Sequence, residues 1–191
     1  MVIDLAWVFF AFVCGSLPLS YWLGKLLLKV DIRLYGDGNP GGVNVWKAGG
    51  RWWGATAILL DGLKGLIPVA LAVYIGEIVS WWLLPVSIAP VLGHIFSPFL
   101  NFRGGKALAT TFGVWTALTL YVVPLAFGIS LGLWMWLLKR DGWAILASVF
   151  SVLVFLLLGN YDLVLISIWI ANGAILVWRY SDTFNKTQQP N

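Results

Sequence analysis

The sequence is poor in charge. Asp, Glu, Lys and Arg together supply 10% of its 191 residues, against about 25% in an average soluble domain. Hydrophobic residues make up 60%, and the mean hydropathy is +0.88. A water-soluble fold of this size cannot hide that much apolar surface. Disorder is excluded by the same figures, since ample apolar area is present to offset the entropy of ordering. The lone cysteine, Cys14, rules out a disulfide framework or a cysteine metal site. The lone histidine, His94, argues against a multi-histidine metal centre, and no cofactor is expected. No positively charged stretch precedes the first apolar run, which therefore reads as a retained span and not as a cleaved signal peptide. What the chain does have is a series of long apolar runs, the mark of an integral membrane protein. On such a chain the formal net charge of +4 reads as topology and as attraction to anionic headgroups or phosphate-bearing substrates, not to nucleic acid.

A span needs about 20 residues to cross about 30 Å of hydrocarbon. Clear candidates lie near 3–29, 53–76, 81–101, 143–158 and 162–180, and 107–138 is long enough to hold two short helices that break near Thr119–Tyr121. The basic residues decide between six spans and seven. With seven, Lys25, Lys29, Arg33, Lys47, Arg51, Lys64, Arg103, Lys106, Lys139, Arg140, Arg179 and Lys186 all fall in or near one set of alternate connections and the C-terminus. The opposite side keeps Asp4, Glu77 and Asp162 and no basic residue. The positive-inside rule thus predicts an all-α bundle of seven transmembrane helices, N-terminus outside and C-terminus cytoplasmic. Residues 1–180 read as one such domain and 181–191 as a polar cytoplasmic tail.

Polar residues inside a membrane chain are costly, so their clustering is informative. Four clusters fall at or near the cytoplasmic side. The first joins Ser16, within Gly15-Ser16-Leu17-Pro18, to a glycine-rich stretch carrying Gly36, Asp37, Gly38, Asn39, Gly41, Asn44 and Lys47. Such a stretch is either a flexible connection or a loop that turns its backbone N–H groups toward an anion. It fits neither a P-loop nor a dinucleotide turn. The second cluster is Asp61 and Lys64, three apart on one helical face, an internal ion pair or part of a site. His94 anchors the third, as a hydrogen-bonded structural residue or a base. The fourth is Arg103, Gly104, Gly105 and Lys106, with Thr110 following, read as two cations at the start of a helix, where free N–H groups and the helix dipole favour an anion. Together these clusters describe a pocket for a phosphorylated substrate, beside an apolar bundle able to hold an acyl chain.

The order and spacing of the motifs resemble the bacterial acyl-phosphate:glycerol-3-phosphate acyltransferases, the PlsY family. The first family motif is similar to Gly15-Ser16-Leu17-Pro18 through Gly36-x-Gly38-Asn39-Pro40-Gly41 and Asn44. The second is similar to Asp61-x-x-Lys64-Gly65, and the third to Gly93-His94-x-Phe96 through Phe102-Arg103-Gly104-Gly105-Lys106-x-x-Ala109-Thr110. The resemblance implies an enzyme of the bacterial cytoplasmic membrane with its site facing the cytoplasm. It implies transfer of a fatty acyl group from acyl phosphate to the 1-hydroxyl of glycerol 3-phosphate, giving lysophosphatidic acid and phosphate, without a metal, thioester or acyl-enzyme. Lys106 and Arg103 would bind phosphate oxygens, with Lys47 as a further contact. Asn39 and Asn44 would orient substrates, and Asp61–Lys64 would position the floor. The catalytic candidates are His94, Asn44 and Lys106. The sequence departs from the family pattern at Asp37 (usually Ser), Val43, Lys47 (usually Arg), Tyr180 and Thr183. Those departures and thirteen tryptophans motivate an alternative, a non-catalytic relative serving as a lipid-binding or structural subunit with a membrane-protein partner.

Overall fold

The computed structural model describes residues 2–185. Met1 and 186–191, including Lys186 and most of the polar tail, lie outside the described residues. Among those described, every regular element is helical. The chain divides into two compact units, residues 1–118 and 119–191.

The first unit contains α1 (Val2–Ser16), α2 (Leu19–Leu23), α3 (Gly42–Gly49), α4 (Arg51–Tyr74), α5 (Leu83–Ile95) and nearly all of α6 (Leu108–Thr119). The apolar run 3–29, read as one span, is interrupted at Leu17–Pro18, where Pro18 leaves helical geometry at φ −86° and ψ 62°. A π-helical turn over Gly24–Leu28 follows, closed by Lys29 in the left-handed region at φ 61°. Helix α1 lies along α5 at very short range. A Cβ at Gly15 would strike the Pro90 backbone, and one at Gly93 would strike the Phe12 carbonyl and the Ser16 amide. Small residues let two backbones approach in this way, which is how helices gain packing energy where lipid offers no hydrophobic contrast. Helix α4 packs as closely on α6, with Gly113 set against the Gly62 carbonyl.

Two expectations are corrected here. The glycine-rich stretch 36–50 is not all loop, because Gly42–Gly49 forms α3, capped by extended Gly41 and stopped by Gly50 at φ 82°. The Arg103–Lys106 cations are not in a first helical turn. Helix α6 starts at Leu108, after Ala107 at φ 61°, and the cations sit on the non-helical approach to it.

The second unit holds α7 (Val122–Leu138), α8 (Asp141–Leu158) and α9 (Leu163–Arg179). The apolar stretch 107–138 does break where expected, with Leu120 at φ 53° between helices ending at Thr119 and starting at Val122. Phe127 and Trp169 meet edge to face at 5.1 Å in its core. The Trp169 indole N–H donates to the Val149 carbonyl at 2.8 Å, and the Trp134 indole donates to Ser151 Oγ at 3.0 Å. Ser148, a candidate polar residue of α8, donates instead to Ala144 of its own helix at 2.6 Å.

The segments Val2–Leu28, Arg51–Tyr74, Ser80–Leu100 and Asp141–Leu158 are long and apolar enough to cross a membrane. Helices α7 and α9 are apolar but shorter, at 17 residues each. Phe9, Ile129, Trp136 and Leu158 are exposed on helix surfaces. Apolar faces of this extent suit hydrocarbon, not water.

Candidate active site

Helix α1 ends at Ser16 and the chain leaves helical geometry at Pro18, so the Ser16 and Leu17 carbonyls fall outside the helical hydrogen-bond pattern. Both carbonyls before Pro18 are taken by side chains from elsewhere. Ser97 Oγ donates to the Ser16 carbonyl at 2.6 Å, and Lys64 Nζ donates to the Leu17 carbonyl at 2.7 Å. Ser16 Oγ itself turns back to the Val13 carbonyl at 2.7 Å. Lys64 also pairs with Asp61 Oδ1 at 3.1 Å, and Ser20 Oγ donates to Asp61 Oδ2 at 2.5 Å. Asp61 and Lys64 are both buried. A buried pair persists only when its remaining donors and acceptors are met, and here Ser20 and Leu17 meet them.

The same network reaches His94 at the end of α5. Thr110 Oγ1 donates to the Asp61 carbonyl at 3.0 Å and lies 3.3 Å from His94 Nδ1. With the single hydroxyl proton on the Asp61 side, Thr110 Oγ1 is the acceptor toward His94, which places a proton on Nδ1. Gly105 closes over the other ring nitrogen, for a Cβ at Gly105 would fall on His94 Nε2. Gly104 is equally constrained, with its N–H on the Ile95 carbonyl at 2.9 Å and no room for a Cβ beside the His94 carbonyl.

A second group of residues forms around Asp37. Its carboxylate receives Lys106 Nζ at 2.9 Å, Asn44 Nδ2 at 3.1 Å and the Asn39 backbone N–H at 3.1 Å. Asn44 Nδ2 also reaches the Asn39 carbonyl at 2.8 Å. Asn44 is buried, and its Oδ1 has no hydrogen-bond partner among the described residues. Gly36, at φ +56°, sits against that oxygen and the Lys47 side chain, so Lys47 borders the group. The turn is completed by Gly38, at φ +76° with its N–H on the Tyr35 carbonyl at 3.1 Å, and by Gly41, whose carbonyl accepts from Asn44 N–H at 3.0 Å. Burial on its own would push the Asp37 carboxyl up. The Lys106 ammonium, with help from Asn39 and Asn44, outweighs it and holds the group below the usual carboxylate range. Asp31, outside the group, is held down to about 2 by the Arg33 guanidinium that clasps it.

The predicted residues therefore fall into two assemblies within the first unit. Lys106, Asp37, Asn39, Asn44, Gly36 and Lys47 surround one anionic carboxylate. Asp61, Lys64, Thr110, His94 and Gly105 form the buried network. Arg103 joins neither through a side-chain contact; it is exposed, with its main-chain N–H on the Leu100 carbonyl at 3.0 Å. Ser20 was not foreseen from sequence, and Ser97, which stands in the polar cluster around His94, had no role assigned to it. Their signal is a hydroxyl within or beside an apolar run, a position that needs a partner once buried.

The chain is thus a membrane protein of apolar helices whose polar side chains gather into two assemblies, one of them closed on the Asp37 carboxylate. The glycerol-3-phosphate acyltransferase family profile matches residues 5–189. The glycerol-3-phosphate acyltransferase of Aquifex aeolicus is 36% identical over 180 residues, covering 94% of this chain and 92% of the relative. That of Lawsonia intracellularis is 30% identical over 196 residues, covering 97% and 92%. The crystal structure of PlsY (YgiH), an integral membrane glycerol 3-phosphate acyltransferase, in its glycerol 3-phosphate form, superposes with a TM-score of 0.85 at 34% identity, covering 96% of this chain and 90% of that one. Its lysophosphatidic acid form gives 0.84. The chain belongs to the glycerol-3-phosphate acyltransferase family.

Proposed function

We propose that this chain transfers a fatty acyl group from acyl phosphate to the 1-hydroxyl of glycerol 3-phosphate, in phospholipid synthesis. The observation that carries the reading is the convergence of Lys106, from one stretch of chain, and of Asn44 and the Asn39 N–H, from another, on a single carboxylate, that of Asp37. The relatives' activity and the ligands of the two solved forms support the acceptor and the product class. The non-catalytic alternative is not favoured by these relatives.

In this reaction the hydroxyl oxygen bonds to the acyl carbonyl carbon, the mixed-anhydride bond breaks, and phosphate leaves. Acyl phosphate is already activated, so the protein has only to hold two phosphates, align the hydroxyl and stabilise developing charge. Lys106 binds phosphate oxygens, with Arg103 and Lys47 as further cations. Asn39 and the N–H groups of Gly36, Asp37 and Gly41 line the phosphate path, while Gly38, Gly104 and Gly105, whose N–H groups are bonded to main-chain carbonyls, shape the backbone beside it. Asn44 offers a buried acceptor, Oδ1, to the substrate hydroxyl, and that desolvated oxygen is satisfied once a donor arrives. His94 is the candidate base for the hydroxyl proton. Asp61, Lys64, Ser16 and Thr110 hold the floor beneath. Residues 1–180 form one domain of seven spans, with the N-terminus outside and the C-terminal tail, 181–191, cytoplasmic. The site then faces the cytoplasm from the bacterial inner membrane, with membrane lipid around it.

Lys106→Ala tests the assignment. Losing one well-placed charge-stabilising donor costs ~100-fold or more, so phosphate release in the presence of both substrates should fall at least that far. Release at the wild-type rate would remove Lys106 from the site.

A further inference from the structure

In this structure the Lys106 ammonium assigned to the substrate phosphate, with Asn44 Nδ2 and the Asn39 N–H beside it, holds a carboxylate from the same stretch as the two asparagines. Lys106 Nζ, Asn44 Nδ2 and the Asn39 N–H all point at Asp37, at 2.9, 3.1 and 3.1 Å. A carboxylate and a phosphate offer such donors the same thing, anionic oxygens at hydrogen-bonding distance. The geometry points to Asp37 as a built-in anion that fills the phosphate seat when substrate is absent and competes with substrate for it. Asp37 thereby sets the affinity of the reaction for its phosphorylated substrate. This rests on the reading of Lys106 as the phosphate's cation.

Three features make the exchange workable. The Asp37 side chain is 49% exposed while Lys106 is 15% exposed, so the carboxylate can swing to water and leave the ammonium in place. Half of the Asp37 side chain already lies in solvent, so its carboxylate recovers water as it leaves the ammonium. The turn that carries Asp37 lies between Gly36 and Gly38, both at positive φ, in a segment with no helix of its own before α3. A phosphate arriving with Asp37 still in the seat would meet like charge across a few ångströms, so the two occupants exclude each other.

A seat closed nine-tenths of the time lowers apparent affinity about tenfold. Removing the charge should restore it. The test is calorimetric binding of inorganic phosphate and of glycerol 3-phosphate to the full-length protein in lipid nanodiscs. Wild type is compared with Asp37→Asn, which keeps an acceptor for the Asn39 N–H, and with Asp37→Ser, which is smaller. Both variants should bind both ligands about tenfold more tightly. With acyl phosphate added, they should also show a lower KM for glycerol 3-phosphate, with kcat changed far less. Unchanged or weaker binding in both variants would overturn the proposal, whatever the turnover. Tighter phosphate binding in the variants, with no turnover in wild type, would uphold the competing carboxylate and contradict the acyl transfer. Turnover in wild type, with unaltered binding in the variants, would do the reverse.

Discussion

Lys64 illustrates how much a single side chain can be asked to do in a membrane helix. Its ammonium serves the Leu17 carbonyl at the interruption of α1 and the Asp61 carboxylate on its own helix. Lys64→Met removes both contacts and leaves a buried carboxylate with only Ser20 to answer it. Breaking a buried pair in this way costs about 3–5 kcal/mol. The loss should appear as a fall of that size in unfolding free energy in a detergent titration, partly recovered when Asp61→Asn is added. A change within about 0.5 kcal/mol, the range of a neutral surface substitution, would contradict the structural account of the pair. The residue types were legible in the sequence, because Asp61 and Lys64 stand three apart in an otherwise apolar run. Their partners were not. Ser20, Leu17 and Thr110 come from remote stretches, and only the break at Pro18, which frees a carbonyl for Lys64, explains why a lysine is needed there. Asp37 stood out as a carboxylate among glycines, yet its bond to Lys106 joins points far apart in the chain.

At the scale of the elements, close helix approach is what keeps the interrupted span in register with α5. Gly93→Leu forces a side chain into the Phe12 carbonyl and the Ser16 amide. Overpacking of this kind costs about 1–3 kcal/mol, and it would also strain the Ser97 bond to Ser16. Gly132→Leu on α7 is the control, since a Cβ there meets nothing within 4 Å. The first variant should lose thermal stability and the second should not; equal behaviour would mean that the α1–α5 contact is not set by its glycines. Hydropathy made the apolar helices and the break at 120–121 readable. It did not make α3 readable, because Gly41, Gly42, Gly49 and Gly50 read as loop residues. In the structure they lie against Asn39, Ile58 and Leu28, or turn the chain, at the ends of a helix. The approach to α6 was misread for a related reason. Gly104 and Gly105 are held flat against the end of α5, so the helix cannot begin until Leu108.

For the whole molecule, the scarcity of charge fixes the solvent as lipid, and the few polar residues it retains are concentrated enough to define chemistry. Membership of the glycerol-3-phosphate acyltransferase family adds the reaction class. Around Asp37, one ammonium, one amide and one backbone N–H hold an anionic group, and the proposed phosphate assignment rests on that arrangement. The most direct test of that claim is product formation by the purified wild-type protein in lipid, supplied with acyl phosphate and glycerol 3-phosphate. The account predicts lysophosphatidic acid and inorganic phosphate in equal amounts, with neither formed when either substrate is left out. Phosphate released without glycerol 3-phosphate, or no lysophosphatidic acid from protein that still binds both substrates, would contradict it.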